Sequence, residues 1–235
     1  MNHRKGKASR RGSPQCVWLS AILLSGLVVL LSVSDLFAQQ KAGDLKIEPH
    51  VFESANKEKI DAELGRLYVP ENRQKKDSCL VELVFVRFKS TNPNPGPPIV
   101  YLAGGPGGSG IGAARGTRFP LFMAMRSIGD VIALDQRGTG NSLPSTACAE
   151  RFVHDARLPL TREVAAERIR TLARACASRL REQAIDLSGY NTNESADDIE
   201  DLRKALAAEK VSLWAISYGT HLALATVKRH EKSIH

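Results

Sequence analysis

A serine flanked by small residues stands where an apolar run ends. Ser217 lies in the sequence AISYG of residues 215–219, directly after the apolar residues 211–216 and before a segment with helical spacing. This is the pattern G-x-S-x-G of a nucleophile elbow, with alanine in the first position. Small neighbours are needed because the sharp turn from strand to helix lifts the serine hydroxyl clear of the sheet. The pattern predicts Ser217 as a nucleophile and the N–H of Tyr218 as an oxyanion donor.

A glycine loop with the sequence GGPGGSG, residues 104–110, follows an earlier apolar run. It contains the pattern G-x-G-x-x-G at Gly105, Gly107 and Gly110, which in dinucleotide-binding proteins lets backbone N–H groups approach a pyrophosphate. A second interpretation is an oxyanion loop, in which the N–H of Gly105 faces the site. A merely tight turn is a third. The serine elbow favours the oxyanion loop over a NAD site, and we expect no cofactor.

A third polar turn has the sequence DQRGTGNS and occupies residues 135–142, after another apolar run. Asp135 and Arg137 stand two residues apart in this turn. We expect their side chains to pair and to fix the shape of the turn, because neither is a good nucleophile or base. The role predicted for both is therefore structural.

Three short apolar runs without alternation predict strands that are buried on both faces of a parallel sheet. Because ligands collect at the carboxyl ends of such strands, the three motifs are expected at one edge. The predicted fold class is α/β, with a mostly parallel sheet, an initial antiparallel hairpin and a helical insertion. The predicted strands are 67–70, 79–88, 99–103, 131–135 and 211–216, and the predicted helices are 119–126, 162–181 (a helix or helix pair on the rim of the sheet), 196–208 and 221–227.

The head of the chain has the layout of an export signal. Five basic residues precede the first acid, Asp35, and an uncharged stretch over residues 16–34 leads to a cleavage position after Ala38. The alternative is a retained membrane anchor over 16–34, because this stretch approaches the ~20 residues that span a bilayer. We predict a signal or anchor at 1–38, a lead-in at 39–64 and the main domain at 65–235.

The charge distribution and the cysteines indicate which ligands and cross-links to expect. Half of the net charge of +8 falls on residues 1–38, and residues 39–235 carry 28 basic and 24 acidic side chains spread along the chain, so no nucleic acid is implied. Export permits disulfides, and Cys148 and Cys176 are the predicted pair, with buried thiols as the alternative. No two pairs of His, Cys or acidic residues have metal-ligand spacing, so we predict no metal site.

These motifs together resemble the proline iminopeptidase and tripeptidyl aminopeptidase branch of the α/β-hydrolases. The resemblance covers the chain from about residue 65 to its end. It implies Ser217 as the acyl nucleophile, Gly105 and Tyr218 as the oxyanion hole, and peptides or small esters as substrates. Ala103 and Ala215 depart from the branch and put substrate preference in doubt. The matching segments are 102–107, 135–142, 190–192 with Asp197 and Asp198 after it, and 214–220.

A serine nucleophile needs a histidine base and an acid that orients it, and in this fold both follow the serine. None of the histidines fits the role of base, and the acid is likewise unassigned. We therefore expect the N-terminal part of a longer enzyme that is inactive alone. An esterase or lipase-like acyl hydrolase and a non-catalytic module of the same fold are the alternatives. The histidines considered are His50, His154, His221, His230 and His235.

Overall fold

A six-stranded mixed sheet forms the centre of the molecule in the computed structural model, which describes residues 40–155, 157 and 159–235. The predicted signal or anchor, residues 1–38, lies outside the described residues. The strand order is β1-β2-β3-β5-β4-β6. Strands β1 and β2, β2 and β3, and β3 and β5 pair antiparallel, whereas β4 pairs in parallel with both β5 and β6. The strands are β1 (Leu45–Glu53), β2 (Lys59–Pro70), β3 (Leu80–Phe88), β4 (Gly96–Leu102), β5 (Gly129–Leu134) and β6 (Ser212–Ala215).

Helices cover both faces of this sheet, as an α/β fold requires. The α-helices are α1 (Gly110–Arg115), α2 (Phe119–Met125), α3 (Arg162–Glu182), α4 (Thr192–Ala205) and α5 (Tyr218–His230), with 3-10 turns at Leu187–Gly189 and Glu231–Ser233. The α/β class and the three predicted strands β4, β5 and β6 are confirmed. The expectation that all three are buried holds for most of β4 and β5 but is wrong for β6, which stands last in the sheet order and is partly exposed at every residue. The short α1 is an addition, because its sequence GIGAAR has too few residues to show a helical period.

Strand β4 shows why the buried runs lack alternation. Its residues Ile99 and Tyr101 pack into the core that faces α1 and α2, whereas Val100 and Leu102 pack into the core that faces α4 and α5. All four side chains are buried. A strand with helices on both faces buries every side chain and reads as a continuous apolar run.

The segment predicted as a lead-in, residues 39–64, instead contributes residues 45–53 and 59–64 to the sheet. It forms β1 and the first half of β2, which pair antiparallel from Leu45 opposite Leu67 to Glu53 opposite Lys59. Most of β1 is exposed and only Phe52 is fully buried. An edge strand of this kind is held by backbone hydrogen bonds more than by burial, so its sequence shows little apolar pattern. The antiparallel half of the sheet is correspondingly larger than predicted.

The insertion after β5 contains one long helix, not a pair. The prediction that it packs on the rim of the sheet is wrong, because its buried residues Cys176 and Leu180 contact Ile185 and the 3-10 turn that follows. Its N-terminal half buries little, and the side chain of Ile169 is 59% exposed. Alanines and arginines dominate that half, so it offers too little apolar surface to hold the helix against the sheet.

Candidate active site

Ser217 lies at the turn from β6 into α5, with its side chain at the surface. Its backbone has φ 55° and ψ −124°, a conformation that non-glycine residues rarely adopt and that marks a strained turn. The turn brings Gly219 so close to β4 that a Cβ there would lie 2.1 Å from the carbonyl oxygen of Leu102. The sequence therefore folds into the strand–turn–helix geometry of a nucleophile elbow.

The glycine loop passes directly beside this serine. Leu102 of β4 pairs with Ala215 of β6, so the residues just beyond the two strands are neighbours as well. A Cβ on Gly104 would lie 2.9 Å from the Cβ of Ser217 and 3.4 Å from its Oγ. Any side chain at position 104 would press on the serine, and only glycine leaves the hydroxyl room.

The two N–H groups predicted as oxyanion donors belong to residues next to Gly104 and to Ser217 in the chain. Gly105 follows Gly104 with φ 121°, and Tyr218 opens α5. In the first turn of α5, Gly219 and Thr220 donate to carbonyls of the elbow itself. No described residue accepts a hydrogen bond from the N–H of Gly105 or Tyr218. Both groups are thus left to serve an external acceptor, and their role as an oxyanion hole stays a prediction.

The Tyr218 side chain ties the elbow to α4. Its hydroxyl lies 2.9 Å from Oγ1 of Thr192, and its ring centroid is 5.9 Å from that of His221. The motif at residues 190–192 was singled out in sequence only through the resemblance, and its contact with the elbow was not foreseen. A threonine at the start of a helix carries no signal that it reaches another element.

Asp135 and Arg137 do not pair with each other, so that expectation is wrong. The carboxylate of Asp135 accepts hydrogen bonds from Ser109 and from Asn141. Arg137 turns toward α4 instead, where Nε and Nη2 donate to the two oxygens of Asp198 at 2.7 and 2.5 Å. The buried Asp198 carboxylate can accept two parallel hydrogen bonds from the guanidinium, whereas the Asp135 carboxylate is already surrounded by N–H and O–H donors. Both side chains bond to groups within the protein, and their structural role stays a prediction.

Arg137 belongs to a buried ion network that joins three parts of the chain. Its Nη1 also donates to the carbonyl oxygens of Glu71 and Gly189, and its side chain is only 2% exposed. Arg73, in the turn after β2, donates to Asp198 as well and to Glu194 and Asp201. Burial opposes the charge of Arg73, but these carboxylates outweigh it and raise its pKa. The network fixes the turn after β5 against α4.

Cys148 and Cys176, the pair predicted from sequence, are joined by a disulfide with a Cα–Cα distance of 5.4 Å. Arg179 supports this bridge by donating to Glu150 and to the carbonyl of Ala147. The sulfurs and the Glu150 carboxylate lie within 4.8 Å of one another. The two sulfurs that could act as thiolate metal ligands are joined in the disulfide. The disulfide links α3 covalently to the loop before it.

No histidine among the described residues is hydrogen-bonded to the Ser217 hydroxyl. His221 lies exposed on α5 beside Tyr218, and His230 stands at the far end of α5, about 20 Å along the axis from Ser217 at 1.5 Å per residue. The His230 side chain instead contacts α4. Its Nε2 lies 2.7 Å from Oδ1 of Asp197, and the side chain is mostly buried.

Residues 97–235 match the family described as alpha/beta hydrolase fold, and the chain belongs to that family. Its relatives include the serine protease Hip1 of Mycobacterium tuberculosis, 28% identical over 169 residues, which are 68% of this chain and 32% of that protein. The tripeptidyl aminopeptidase of Streptomyces coelicolor is 32% identical over 136 residues, 53% of this chain and 24% of the relative. The resemblance to this branch is thus confirmed.

Among solved structures, the chain is similar to a proline iminopeptidase-related protein from Thermus thermophilus. The identity is 23%, the TM-score is 0.38, and the match covers 72% of this chain and 41% of that one. The chain spans about a third of the length of the curated relatives it matches. In the part of the chain that the structure describes, no helix has both the length and the apolar character needed to cross a bilayer.

Proposed function

We propose that this chain carries the nucleophile of an exported serine hydrolase, an aminopeptidase that releases N-terminal proline, amino acids or short peptides. One observation carries the proposal: Ser217 has a left-handed backbone at a strand-to-helix turn, with Gly104 packed against it. The naming of relatives as a serine protease and a tripeptidyl aminopeptidase supports the peptide substrate.

The proposed reaction is acyl transfer in two steps. The Oγ of Ser217 attacks the scissile carbonyl carbon while its proton passes to a base, and the carbonyl oxygen becomes an oxyanion. The N–H groups of Gly105 and Tyr218 donate to that oxyanion as the tetrahedral intermediate forms. Collapse of the intermediate expels the protonated amine, and water then hydrolyses the ester on Ser217.

The base and its orienting acid are proposed to come from parts of the natural protein beyond these 235 residues. Two facts support this: no described histidine is hydrogen-bonded to the Ser217 hydroxyl, and the relatives are about three times as long as the matched region. A base must lie within about 3 Å of the hydroxyl to take its proton. We therefore expect the 235-residue chain alone to be inactive.

A fluorophosphonate probe tests the nucleophile. We expect it to label the natural protein at Ser217, and to label neither the Ser217→Ala variant nor the 235-residue chain. Ser178→Ala is the matched control, because Ser178 is an exposed serine on α3 with no part in the elbow, and it should be labelled at the wild-type rate. Labelling that persists in Ser217→Ala would refute the assignment of the nucleophile.

A panel of chromogenic substrates tests the substrate class. We expect the natural protein to cleave aminoacyl or tripeptidyl anilides with a free amino terminus faster than their N-acetylated counterparts. Preference for simple acyl esters would favour the esterase alternative. No turnover of any substrate, with no labelling of Ser217, would favour the non-catalytic module.

Export rests on residues 1–38 and is tested separately. N-terminal sequencing of the protein recovered from outside the cytoplasm is expected to begin at Gln39. Recovery in the membrane fraction with the first residues intact would show that residues 16–34 are kept as an anchor.

A further inference from the structure

The glycine loop is tied down at its start by a buried side chain from the end of β5. Nε2 of Gln136 donates to the carbonyl oxygen of Ala103 at 3.0 Å, immediately before Gly104. Gln136 is 7% exposed, so this bond is shielded from water. The amide of Gln136 thus fixes the point at which the chain leaves β4 and turns past Ser217.

The preceding residue ties down the other end of the same loop. Oδ1 of Asp135 accepts a hydrogen bond from the Ser109 hydroxyl at 2.6 Å and one from the N–H of Ile111 at 3.0 Å. Its Oδ2 accepts from the N–H and side-chain amide of Asn141 at 2.8 and 3.1 Å. Asp135 is fully buried, and donors around both oxygens hold its carboxylate in one orientation.

Between these two anchors the loop consists of four glycines and Pro106, whose ring fixes only its own φ. Gly105 and Gly107 both have positive φ, and glycine has more backbone freedom than any other residue. One internal bond, from the N–H of Gly108 to the carbonyl of Gly104, closes the turn. The direction of the Gly105 N–H is therefore set by where the ends of the loop are held.

We propose that Asp135 and Gln136 are positioning residues that hold the Gly105 N–H toward the oxyanion formed at Ser217. This inference rests on the proposed function, because it assigns the two side chains to the proposed reaction. Neither touches the substrate. Asp135 and Gln136 are consecutive residues just after β5, and they hold the two ends of the glycine loop. A shift of either residue therefore moves the Gly105 N–H relative to Ser217.

Loss of an anchor is expected to lower kcat and to leave KM nearly unchanged. An oxyanion donor binds the transition state more tightly than the ground state, so its misplacement affects the chemical step. Displacement by about 1 Å costs on the order of 100-fold in rate, so we expect about 10- to 100-fold for each anchor.

The experiment compares Gln136→Met and Asp135→Ala in the natural protein, using a substrate that the wild type cleaves. Methionine keeps the length of glutamine but cannot donate to Ala103. Thr146→Val is the matched control, because Thr146 bonds to Gly138 in the same turn and does not touch the glycine loop. Should Asp135→Ala fail to fold, Ser109→Ala removes one of the two bonds that hold the end of the loop.

Amide hydrogen exchange gives a readout that does not depend on catalysis. We expect faster exchange at residues 105–111 in both anchor variants and wild-type exchange in the control. Unchanged kcat and exchange in folded variants would overturn the clamp and leave the proposed function standing. Faster exchange in a protein whose wild type shows no turnover dependent on Ser217 would refute the proposed function and keep the clamp.

Discussion

Replacing Arg137 by methionine removes the centre of the buried ion network. Methionine preserves most of the apolar stem, so the substitution tests the guanidinium and not the packing. It deprives Asp198 of two hydrogen bonds and leaves the carbonyls of Glu71 and Gly189 without this donor. Every one of these contacts is shielded from water, because the Arg137 side chain is 2% exposed.

The expected loss follows from what remains. Breaking a buried pair by removing one partner costs about 3–5 kcal/mol, because the other charge stays buried. Arg73 still lies 2.8 Å from Oδ1 of Asp198 and compensates part of that charge. We therefore expect the free energy of unfolding to fall by about 3 kcal/mol, at the lower end of that range. A chain of this size loses about 2 kcal/mol per molar urea, so the midpoint should drop by about 1.5 M.

Urea unfolding followed by tryptophan fluorescence measures this shift. Trp214 packs against the rings of Tyr101 and Phe122, so its emission reports on the core. Arg157→Met is the matched control. Nε and Nη2 of Arg157 likewise donate to the two carboxylate oxygens of Asp155, but the Arg157 side chain is 89% exposed. Its loss should therefore leave the urea midpoint unchanged.

A midpoint shift of less than about 0.5 M in Arg137→Met, at an unchanged slope, would contradict the expected loss of stability. The network would then contribute specificity without stability, and the turn after β5 would be held by other contacts. An equal shift of the midpoint in Arg157→Met would also contradict the expectation, because a buried and an exposed arginine would then contribute equally to stability.

Three further outcomes are expected. Cys176→Ser, which opens a disulfide across a sequence separation of 28, should lower the free energy of unfolding by about 3 kcal/mol in a urea titration. Gly65→Ala should cost about 1–3 kcal/mol in the same assay, because the new Cβ would lie 2.0 Å from Cζ of Phe85. The hydrogen bond from Arg203 lowers the pKa of Glu200 from 4.5 to about 2, so the stability it gives is full above about pH 4.5 and is lost as pH falls toward 2. Glu200→Gln should therefore show a smaller drop in melting temperature between pH 5 and pH 2 than the wild type.

Sequence patterns predicted the parts of the fold whose burial is complete. The runs that became β4 and β5 are apolar because helices cover both faces, and the elbow needed small residues because of close backbone contacts. Strand β1 could not be predicted, because a mostly exposed edge strand lacks the alternating apolar residues that indicate a strand. The packing of α3 was predicted wrongly because helical spacing tells which face is apolar and not what lies opposite it.

The site shows the same limit at the level of side chains. Ser217 and the glycine loop could be placed together because strand order brings their ends to one edge. The partners of Asp135 and Arg137 could not be predicted, because proximity in sequence says little about which donors and acceptors tertiary structure supplies. The role of Gln136 is likewise not visible in the sequence, because its contact with Ala103 joins the ends of two strands and leaves no pattern in local spacing.

The sheet order has a consequence for how the molecule assembles. Strands β1, β2 and β3 are successive in the chain and pair as neighbours, so they can form with short loop closures as soon as they are synthesised. Strand β4 can pair with β5 along one edge, but its other edge must wait for β6, which begins only at residue 212 whereas β4 begins at residue 96. Contacts of such long range form slowly. Until they form, the serine and its glycine loop are apart, so the chain passes through its early folding steps without an assembled nucleophile site.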